Sequence, residues 1–256
     1  MPVDPAAAAE EIWAAAQAGR YYPEEWKGRL DPVTGYQAQL AGLDLRVKAG
    51  DAHAGWKVGL TSKAMQRQQG VHEPLFGYLL ESGRMTAPAV LEHAALHRPG
   101  FENELCLLVG ERLAGPGVTY EQAQAAIAAV CPAFEIVEVR GPFGEDVPLG
   151  LADNIQQRAF VTGAEVPPPA GRRLVDATVE ILVNGEVVER AAGSDEIGDP
   201  VATLAWLANK LAEFGRPVEA GQRIMSGSFT KQYPLAPGQR IEARFDLVGS
   251  VRAEVR

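Results

Sequence analysis

The chain has 256 residues, of which 46% are hydrophobic and 22% charged, a composition typical of a folded globular protein with a substantial core. Its formal net charge is −9 and it has no long basic cluster, which argues against nucleic acid or an anionic membrane surface as a partner. No stretch approaches the roughly 20 apolar residues needed to span a bilayer. The N-terminus lacks the pattern of a secretory signal, so we expect a cytoplasmic protein.

The first fifty residues are predicted to be helical. An Asp-Pro pair at Asp4 is a typical helix start, and Gly19 is a typical helix end. A second helix is expected over residues 34–50, after which short β-leaning segments take over. We therefore expect an N-terminal helical segment over residues 1–50 and a mixed β body over residues 51–256, integrated into one domain.

The body is predicted to combine short strands with a few helices. In chain order, its first half is predicted to contain a strand at 55–60, a short helix at 62–70, a strand at 104–110, a helix from Tyr120 to about Val130 and a strand from Ala133. Pro132 is expected to end that helix. The two cysteines, Cys106 and Cys131, lie in apolar stretches and are expected to be buried and reduced.

The second half continues the same pattern. Alternating residues on both sides of Asn184-Gly185 predict a β-hairpin. An amphipathic helix is expected over residues 200–215, and strands are expected at 224–230, 239–249 and 250–256. Because the βαβ alternation of a doubly wound sheet is absent, the predicted fold class is α+β with mixed sheets.

Two glutamates stand at the head of the apolar segment FENELCLLVG. Glu102 and Glu104 are two residues apart, so in a strand both side chains point to one face. An edge strand with two solvated glutamates is one interpretation. The other is a hard divalent cation, because Mg²⁺ and Mn²⁺ favour carboxylate oxygens and relieve the repulsion between them. In the second interpretation Asn103, which points the other way, is expected to be replaceable.

A third carboxylate is available in the segment FEIVEVR. Glu135 opens this β-leaning run, whereas Glu138 is three residues further on and is expected on the opposite strand face, where Arg140 can pair with it. Three carboxylates from two strands, with waters completing an octahedron, make a plausible Mg²⁺ site.

Lys57 is a lone cation in the apolar run GWKVGL. It could snorkel from a strand or pair with a glutamate, or it could be held in a desolvated site where it binds an anion. The segment SGSFT offers hydroxyls at Ser226, Ser228 and Thr230 around a glycine, which suits either a polar loop or a ligand site. A zinc pair formed by the histidines and a nucleophilic cysteine are both disfavoured by the spacing.

Seven segments together resemble a known family. They are GWKVGLTSKAMQRQQGVHEPLFGYLL, ENELCLLVG, PAFEIVEVRG, LADNIQQRAFVTG, LAWLANKLAEFG, IMSGSFT and LVGSV. In the same order, from about residue 35 to the C-terminus, they resemble the 2-keto-4-pentenoate (2-hydroxypenta-2,4-dienoate) hydratases of the fumarylacetoacetate hydrolase superfamily. The resemblance implies a mixed β-sandwich or roll of the fumarylacetoacetate hydrolase C-terminal type, with peripheral helices.

The resemblance also implies a site and an activity. The ligands of Mg²⁺ or Mn²⁺ would be Glu102, Glu104 and Glu135, Lys57 matches the active-site lysine, and Ser226 and Ser228 match a serine-containing substrate loop. The implied reaction adds water to a 2-hydroxy-2,4-dienoate to give a 4-hydroxy-2-keto acid in the meta-cleavage catabolism of aromatics. Relatives commonly assemble, so we expect a homo-oligomer, and a complex with a pathway enzyme is compatible with the family.

Two segments depart from the family pattern. This chain has Asp153-Asn154-Ile155-Gln156-Gln157 where the family often has Asp-Asn-Ala-Ser-Ser. It has Gly193 to Pro200, with Asp195 and Glu196, where the family often has a small-residue segment ending in Leu-Gly-His-Pro. Both departures bear on the substrate and neither touches the three glutamates.

Three alternative functions stay open at this point. A metal-dependent 2-keto acid decarboxylase of the 4-oxalocrotonate type would use the same enolate stabilisation, although those relatives tend to carry Gly-Gly where this chain has Ser226-Gly227-Ser228. An acylpyruvate-type C–C hydrolase would need a general base that the sequence does not indicate. A non-catalytic partner subunit is disfavoured by the retention of the glutamates and the lysine.

Overall fold

The computed structural model describes residues 3–193 and 198–256. In this part of the chain thirteen strands form two sheets. The strands are β1 (His53–Gly59), β2 (Leu75–Leu80), β3 (Arg84–Thr86), β4 (Ala89–Leu91), β5 (Pro99–Val109), β6 (Ile127–Glu138), β7 (Gln157–Thr162), β8 (Thr178–Val183), β9 (Glu186–Ala192), β10 (Arg223–Ser228), β11 (Tyr233–Pro234), β12 (Arg240–Phe245) and β13 (Gly249–Val255). The helices are α1 (Pro5–Gln17), α2 (Pro32–Lys48), α3 (Lys63–Gln68), α4 (Tyr120–Ala126), α5 (Val147–Ala152) and α6 (Pro200–Ala212).

The larger sheet has eight strands in the order β2-β1-β10-β5-β6-β7-β3, with β11 paired to one end of β5. The two longest strands, β5 and β6, are antiparallel neighbours at its centre, and β1 runs parallel to β10. The smaller sheet has five strands in the order β4-β13-β12-β8-β9. Parallel and antiparallel pairs in two sheets with peripheral helices confirm the predicted α+β class.

One continuous core lies between the sheets and the helices. Leu204, Leu207 and Leu211 on one face of α6 are fully buried in it, as their helical spacing predicts. A smaller cluster lies beneath α1 and includes Ile12 and Trp26. Because α2 contributes to the main core, the N-terminal helices pack directly on the β body. The division of the chain at residue 50 stays a prediction.

Most local signals are confirmed. Asp4 caps α1 through a hydrogen bond from the Ala6 amide, and the Asn184-Gly185 turn has positive φ at both residues, 53° and 88°, as a two-residue hairpin loop requires. The second helix begins at Pro32, two residues before the predicted start. The side chain of Asp31 accepts the Thr34 amide at 2.8 Å and so caps this helix.

The boundary predicted at Pro132 is wrong. Helix α4 ends at Ala126, and β6 begins at Ile127 and continues through Pro132. Pairing with β5 outweighs the helical signal of the alanine-rich sequence, because Val130 lies opposite Leu107 and is fully buried there. Pro132 is tolerated because regular pairing of β6 with β7 starts only at the next residue.

Candidate metal centre and adjoining cavity

The three predicted carboxylates come together on one face of the larger sheet. Glu102 on β5 is the cross-strand partner of Glu135 on β6, and Glu104 follows two residues along β5. One oxygen of each carboxylate lies within 4.8 Å of the oxygens of the other two. Glu104 and Glu135 are buried, whereas Glu102 is partly exposed. The antiparallel register of two central strands therefore creates the cluster.

Lys57 reaches the cluster from β1, on the far side of β10. Its Nζ lies 3.1 Å from Oε1 of Glu135, and the exposed fractions of the two side chains are 7% and 1%. The partner of Lys57 on β2 is Gly77, and a Cβ placed on Gly59 would lie 3.6 Å from Nζ. Gly59 therefore lies in contact distance of the ammonium group. Lys57 is buried and paired with a glutamate and does not extend to the surface, while its binding of an anion stays a prediction.

Burial and mutual repulsion dominate the electrostatics of the carboxylates. Burial, followed by repulsion from Glu135, raises the pKa of Glu102 to about 7. The pKa of Glu104 is raised well above its usual value by burial and by both neighbouring carboxylates. Burial lowers the pKa of Lys57, but attraction to the carboxylates, to Glu135 foremost, outweighs it and leaves the pKa raised. A cation would relieve the carboxylate repulsion.

The two predicted serines have different surroundings. Ser228 lies beside the cluster, as the cross-strand partner of Glu104, and lines the cavity described below. Ser226 is fully buried, and its hydroxyl donates to the backbone oxygen of Leu105 at 2.8 Å. Between them, the Gly227 amide donates to Oε2 of Glu104 at 2.8 Å. Of the two serines, only Ser228 lines the cavity, and a role of either one in binding the substrate stays a prediction.

A cavity of about 360 Å³ opens at the cluster. Lys57 and Glu102 line its inner end. Its walls carry hydroxyls from Thr61, Ser62, Ser228 and Thr230, and apolar groups that include Leu60, Leu75, Val137, Phe143 and Ile155. Exposed Lys231 stands on the rim, with Nζ 5.4 Å from the centre of the Tyr233 ring. The cavity therefore offers two ammonium groups, several hydroxyls and apolar surface to a small molecule.

One wall of the cavity is a strained turn that was not identified from the sequence. Asn154, Ile155 and Gln156 have consecutive φ values of 59°, 41° and 62°, which is uncommon for residues other than glycine and a clear outlier for a β-branched side chain. The side-chain amide of Asn154 holds the turn by bonding both the amide and the carbonyl of Tyr78. A Cβ at Gly77 would lie 3.0 Å from Cγ1 of Ile155, so Gly77 makes room for this side chain.

Ile155 and Gln156, which belong to the departure from Asp153 to Gln157, therefore line the cavity. Asp195 and Glu196, in the other departure, lie outside the described residues.

Asn103 faces the core. It is fully buried, and its Nδ2 donates to Oγ1 of Thr230 at 2.6 Å. Burial and this hydrogen bond count against the expectation that Asn103 is replaceable, which stays a prediction. The prediction for the cysteines is confirmed. Cys106 and Cys131 are buried, free thiols on cross-strand positions of β5 and β6.

A second cleft lies near the other face of β6 and measures about 480 Å³. It contains the predicted pair of Arg140 and Glu138, whose atoms lie 3.2 Å apart, and Asp153, which lies 2.7 Å from Arg140. Arg158 also lies 3.7 Å from Glu138, so two arginines balance these two carboxylates. In contrast, the Glu102, Glu104 and Glu135 cluster has three carboxylates and one ammonium.

The cluster fits a hard divalent cation. Its donors are all carboxylate oxygens, the type that Mg²⁺, Mn²⁺ and Ca²⁺ prefer. Both oxygens of Glu135 are buried, and among the described residues no hydrogen-bond donor of good geometry reaches them, in spite of the ion pair with Lys57. Buried polar atoms of this kind are normally paired, which makes this carboxylate available to a ligand.

Fold and site together define a class of proteins with a mixed β body and a carboxylate centre suited to a divalent metal. The chain belongs to the fumarylacetoacetate hydrolase family, because the model of the fumarylacetoacetate (FAA) hydrolase C-terminal region matches residues 56–256. No helix in the described part of the chain is long and apolar enough to span a membrane.

Sequence relatives are named for two activities. The chain is 36% identical over 218 residues to a 2-hydroxyhexa-2,4-dienoate hydratase of Comamonas testosteroni, covering 84% of this chain and 83% of the relative. It is 36% identical over 205 residues to a 4-oxalocrotonate decarboxylase of Pseudomonas sp. (strain CF600), covering 80% of this chain and 78% of the relative. Several other relatives are named 2-keto-4-pentenoate hydratases, at 29 to 31% identity.

A solved structure is similar over nearly the whole chain. The 4-oxalocrotonate decarboxylase from Pseudomonas putida G7, complexed with magnesium and adipate, matches with a TM-score of 0.91 at 31% identity. The match covers 98% of this chain and 97% of the decarboxylase. The same enzyme matches equally well in a complex with calcium and acetate. The overall fold is therefore shared with an enzyme that has been solved with divalent metals and carboxylates.

Proposed function

We propose that this protein is a divalent-metal-dependent hydratase that adds water to a 2-hydroxy-2,4-dienoate and forms a 4-hydroxy-2-keto acid. The observation that carries the proposal is the cluster of Glu102, Glu104 and Glu135 beside Lys57, next to a cavity lined by both hydroxyl and apolar groups. Hydratase names among the sequence relatives support the same reaction.

The three glutamates would hold Mg²⁺ or Mn²⁺. When bound, such an ion supplies Lewis acidity that stabilises negative charge on the 2-oxygen of the substrate. Glu104 is oriented for this role by the amide of Gly227, and Glu135 by the antiparallel pairing with Glu102. The preference for Mg²⁺ or Mn²⁺ over Ca²⁺ is part of the proposal.

Lys57 would bind the carboxylate of the substrate. Its raised pKa keeps the side chain as an ammonium ion near neutral pH, so it donates hydrogen bonds and does not act as a base. Ser228, which lines the cavity beside Glu104, would orient a substrate oxygen or the attacking water. Ser226 would act indirectly, because its hydroxyl bonds the backbone of β5 and so fixes β10 against β5.

Decarboxylation is the second candidate, and the structural match to a 4-oxalocrotonate decarboxylase favours it. Because the TM-score of that match is 0.91, the fold alone does not separate the two reactions. Stabilisation of an enolate at the same centre would serve the loss of CO₂ as well as the addition of water.

One experiment distinguishes the two reactions. The protein is incubated with Mg²⁺ and 2-hydroxypenta-2,4-dienoate, and in parallel with 4-oxalocrotonate, while the diene absorbance and released CO₂ are followed. Loss of the diene without CO₂ supports hydration, whereas CO₂ from 4-oxalocrotonate alone supports decarboxylation. No turnover of either compound by metal-loaded protein contradicts both.

A variant pair ties the activity to the cluster. Glu104→Ala should lower turnover by at least about two orders of magnitude, because losing an electrostatic contact at such a centre typically costs several kcal/mol in the barrier. Glu111→Ala, at an exposed glutamate beyond the end of β5, is the matched control and should keep wild-type turnover. Near-wild-type activity of Glu104→Ala with added Mg²⁺ would contradict the metal proposal.

Localisation and assembly are further parts of the proposal. Two free, buried cysteines are compatible with the reducing cytoplasm. A homo-oligomer, or a complex with a pathway enzyme, stays a prediction.

A further inference from the structure

Asn103 lies between two of the proposed metal ligands but faces the other side of β5. Its cross-strand partner on β6 is Phe134, and both residues are fully buried. The neighbouring residues Glu102 and Glu104 point to the cavity face. Asn103 is therefore a polar residue inserted into the core from the strand that carries two carboxylates.

Opposite this point β10 ends at Ser228, and an irregular segment connects it to β11. Ser228 pairs with Glu104, and pairing with β5 resumes at Tyr233, opposite Phe101. Five residue steps separate Ser228 from Tyr233 but only three separate Glu104 from Phe101, so the intervening segment carries two extra residues. We refer to residues 229–232 as the β10 bulge. Such a segment lacks the regular ladder of hydrogen bonds that fixes a strand.

The β10 bulge forms part of the cavity wall. Thr230, Lys231 and Gln232 line the cavity, while Phe229 is fully buried in the core. The position of this wall relative to the carboxylates depends on whatever attaches the bulge to β5.

Asn103 provides that attachment. Its Nδ2 donates to Oγ1 of Thr230 at 2.6 Å, and its backbone oxygen accepts the Phe229 amide at 3.0 Å. The Ser228 hydroxyl donates to the backbone oxygen of Asn103 at 3.4 Å. The same hydroxyl accepts a hydrogen bond from the Thr230 amide, also at 3.4 Å. Residue 103 thus contacts Ser228 at the end of β10 and the first two residues of the bulge.

The asparagine is not explained by core packing. Its Oδ1 is buried and has no hydrogen-bond partner among the described residues, which is unfavourable for the folded state. A leucine of similar size would fill the same space without an unpaired polar atom. What the asparagine adds is the side-chain bond to Thr230.

We propose that Asn103 is a positioning residue that fixes the β10 bulge relative to the carboxylates of β5, so that the substrate wall and the metal ligands keep one geometry. The inference rests on the proposed function. Asn103 does not contact the substrate in this scheme and acts through Thr230.

The main test compares Asn103→Leu with wild type in steady-state kinetics and in Mn²⁺ titration. The KM for the hydroxydienoate should rise about tenfold, because the wall is no longer fixed. The Kd for Mn²⁺ should stay within about twofold, because Glu102, Glu104 and Glu135 keep their strand pairing. Unchanged KM and kcat in a folded Asn103→Leu variant would overturn the proposal.

The partner residue keeps the test decisive if Asn103→Leu does not fold. Thr230→Val should reproduce the rise in KM, and Thr230→Ser, which retains the hydroxyl, should return KM to within about twofold of wild type. The KM of the double variant Asn103→Leu/Thr230→Val should be no higher than that of either single variant, since both substitutions remove the same hydrogen bond. A Thr230→Val variant with wild-type KM would overturn the proposal.

A matched control separates positioning from stability. Gln39 is another fully buried amide, whose Nε2 donates to the carbonyls of Phe76 and Leu151 at 3.0 and 2.9 Å. Gln39→Leu should lower the melting temperature without raising KM. An equal rise in KM in this control would assign the effect of Asn103 to general destabilisation and overturn the proposal.

Hydrogen exchange gives a readout that is independent of turnover. In Asn103→Leu the amides of residues 229–232 should exchange at least about tenfold faster, while those of β6 remain unchanged. If wild type turns over neither substrate, the proposed function fails, and this measurement still decides whether Asn103 fixes the bulge. Equal exchange of residues 229–232 in variant and wild type would overturn the positioning role.

Discussion

Raising the pH should destabilise the metal-free protein through Glu102. Burial and the neighbouring carboxylate raise its pKa to about 7 in the folded chain, against an ordinary value of 4.5. Between these values the folded state holds more protons than the unfolded state, so the free energy of unfolding falls as the pH rises. This contribution is fully present below about pH 4.5 and is lost above about pH 7.

The size of the effect follows from the same two values. At about 1.36 kcal/mol for each pKa unit, the difference between 7 and 4.5 gives an upper bound of about 3 kcal/mol. The side chain is partly exposed and solvent screens it, so a smaller value is expected. A bound metal offsets this loss of stability, because a ligand present at a hundred times its Kd adds about 2.7 kcal/mol to the free energy of unfolding.

The assay is urea unfolding of chelator-treated protein at pH 5 and pH 8, for wild type and Glu102→Gln. Other acids titrate in the same range, so the difference between the two proteins isolates Glu102. Between pH 5 and pH 8, the free energy of unfolding of wild type should fall by about 1–3 kcal/mol more than that of the variant. Excess Mn²⁺ should restore wild type at pH 8 and have a weaker effect on the variant. Parallel pH dependences for the two metal-free proteins would refute the reasoning.

Three further predictions concern the surroundings of the cluster. Lys57→Met should bind Mn²⁺ at least as tightly as wild type, because a positive charge beside the carboxylates is removed, while kcat/KM should fall by about two orders of magnitude or more. Weaker Mn²⁺ binding by the variant in calorimetry would contradict this prediction. Gly227→Ala should lower both turnover and melting temperature, because φ at residue 227 is 110° and the added Cβ would lie 2.7 Å from Oγ1 of Thr61. Wild-type turnover and melting temperature in this variant would count against the prediction. Arg140→Met should lower the free energy of unfolding in urea by about 3–5 kcal/mol, since it leaves Asp153 and Glu138 buried beside a neutral side chain. A loss below about 1 kcal/mol would be inconsistent with these ion pairs.

The sequence was most informative where local chemistry decides the structure. The cap at Asp4 and the Asn184-Gly185 turn are formed by adjacent residues, so their signals are readable without the fold. The residue spacing of Glu102 and Glu104 likewise gave one shared strand face. The third ligand, Glu135, required a cross-strand register, for which charge and the family resemblance were the available indications.

The failures share a physical cause, which is tertiary pairing. The alanine-rich segment before Pro132 has helical propensity, but its residues complete the pairing of β6 with β5. The strained turn at Ile155 depends on the space left by Gly77, some eighty residues earlier in the chain. Neither contact has a signal in its own segment.

Asn103 shows how much a correct local inference leaves open. Alternation along a strand placed its side chain opposite the two glutamates, and the structure confirms that placement. Alternation alone does not say whether the opposite face is buried. The uninterrupted apolar run that follows, from Leu105 to Val109, already indicates a strand covered on both faces. A polar residue on such a strand has to find a partner inside the protein, and Thr230 of the β10 bulge is that partner.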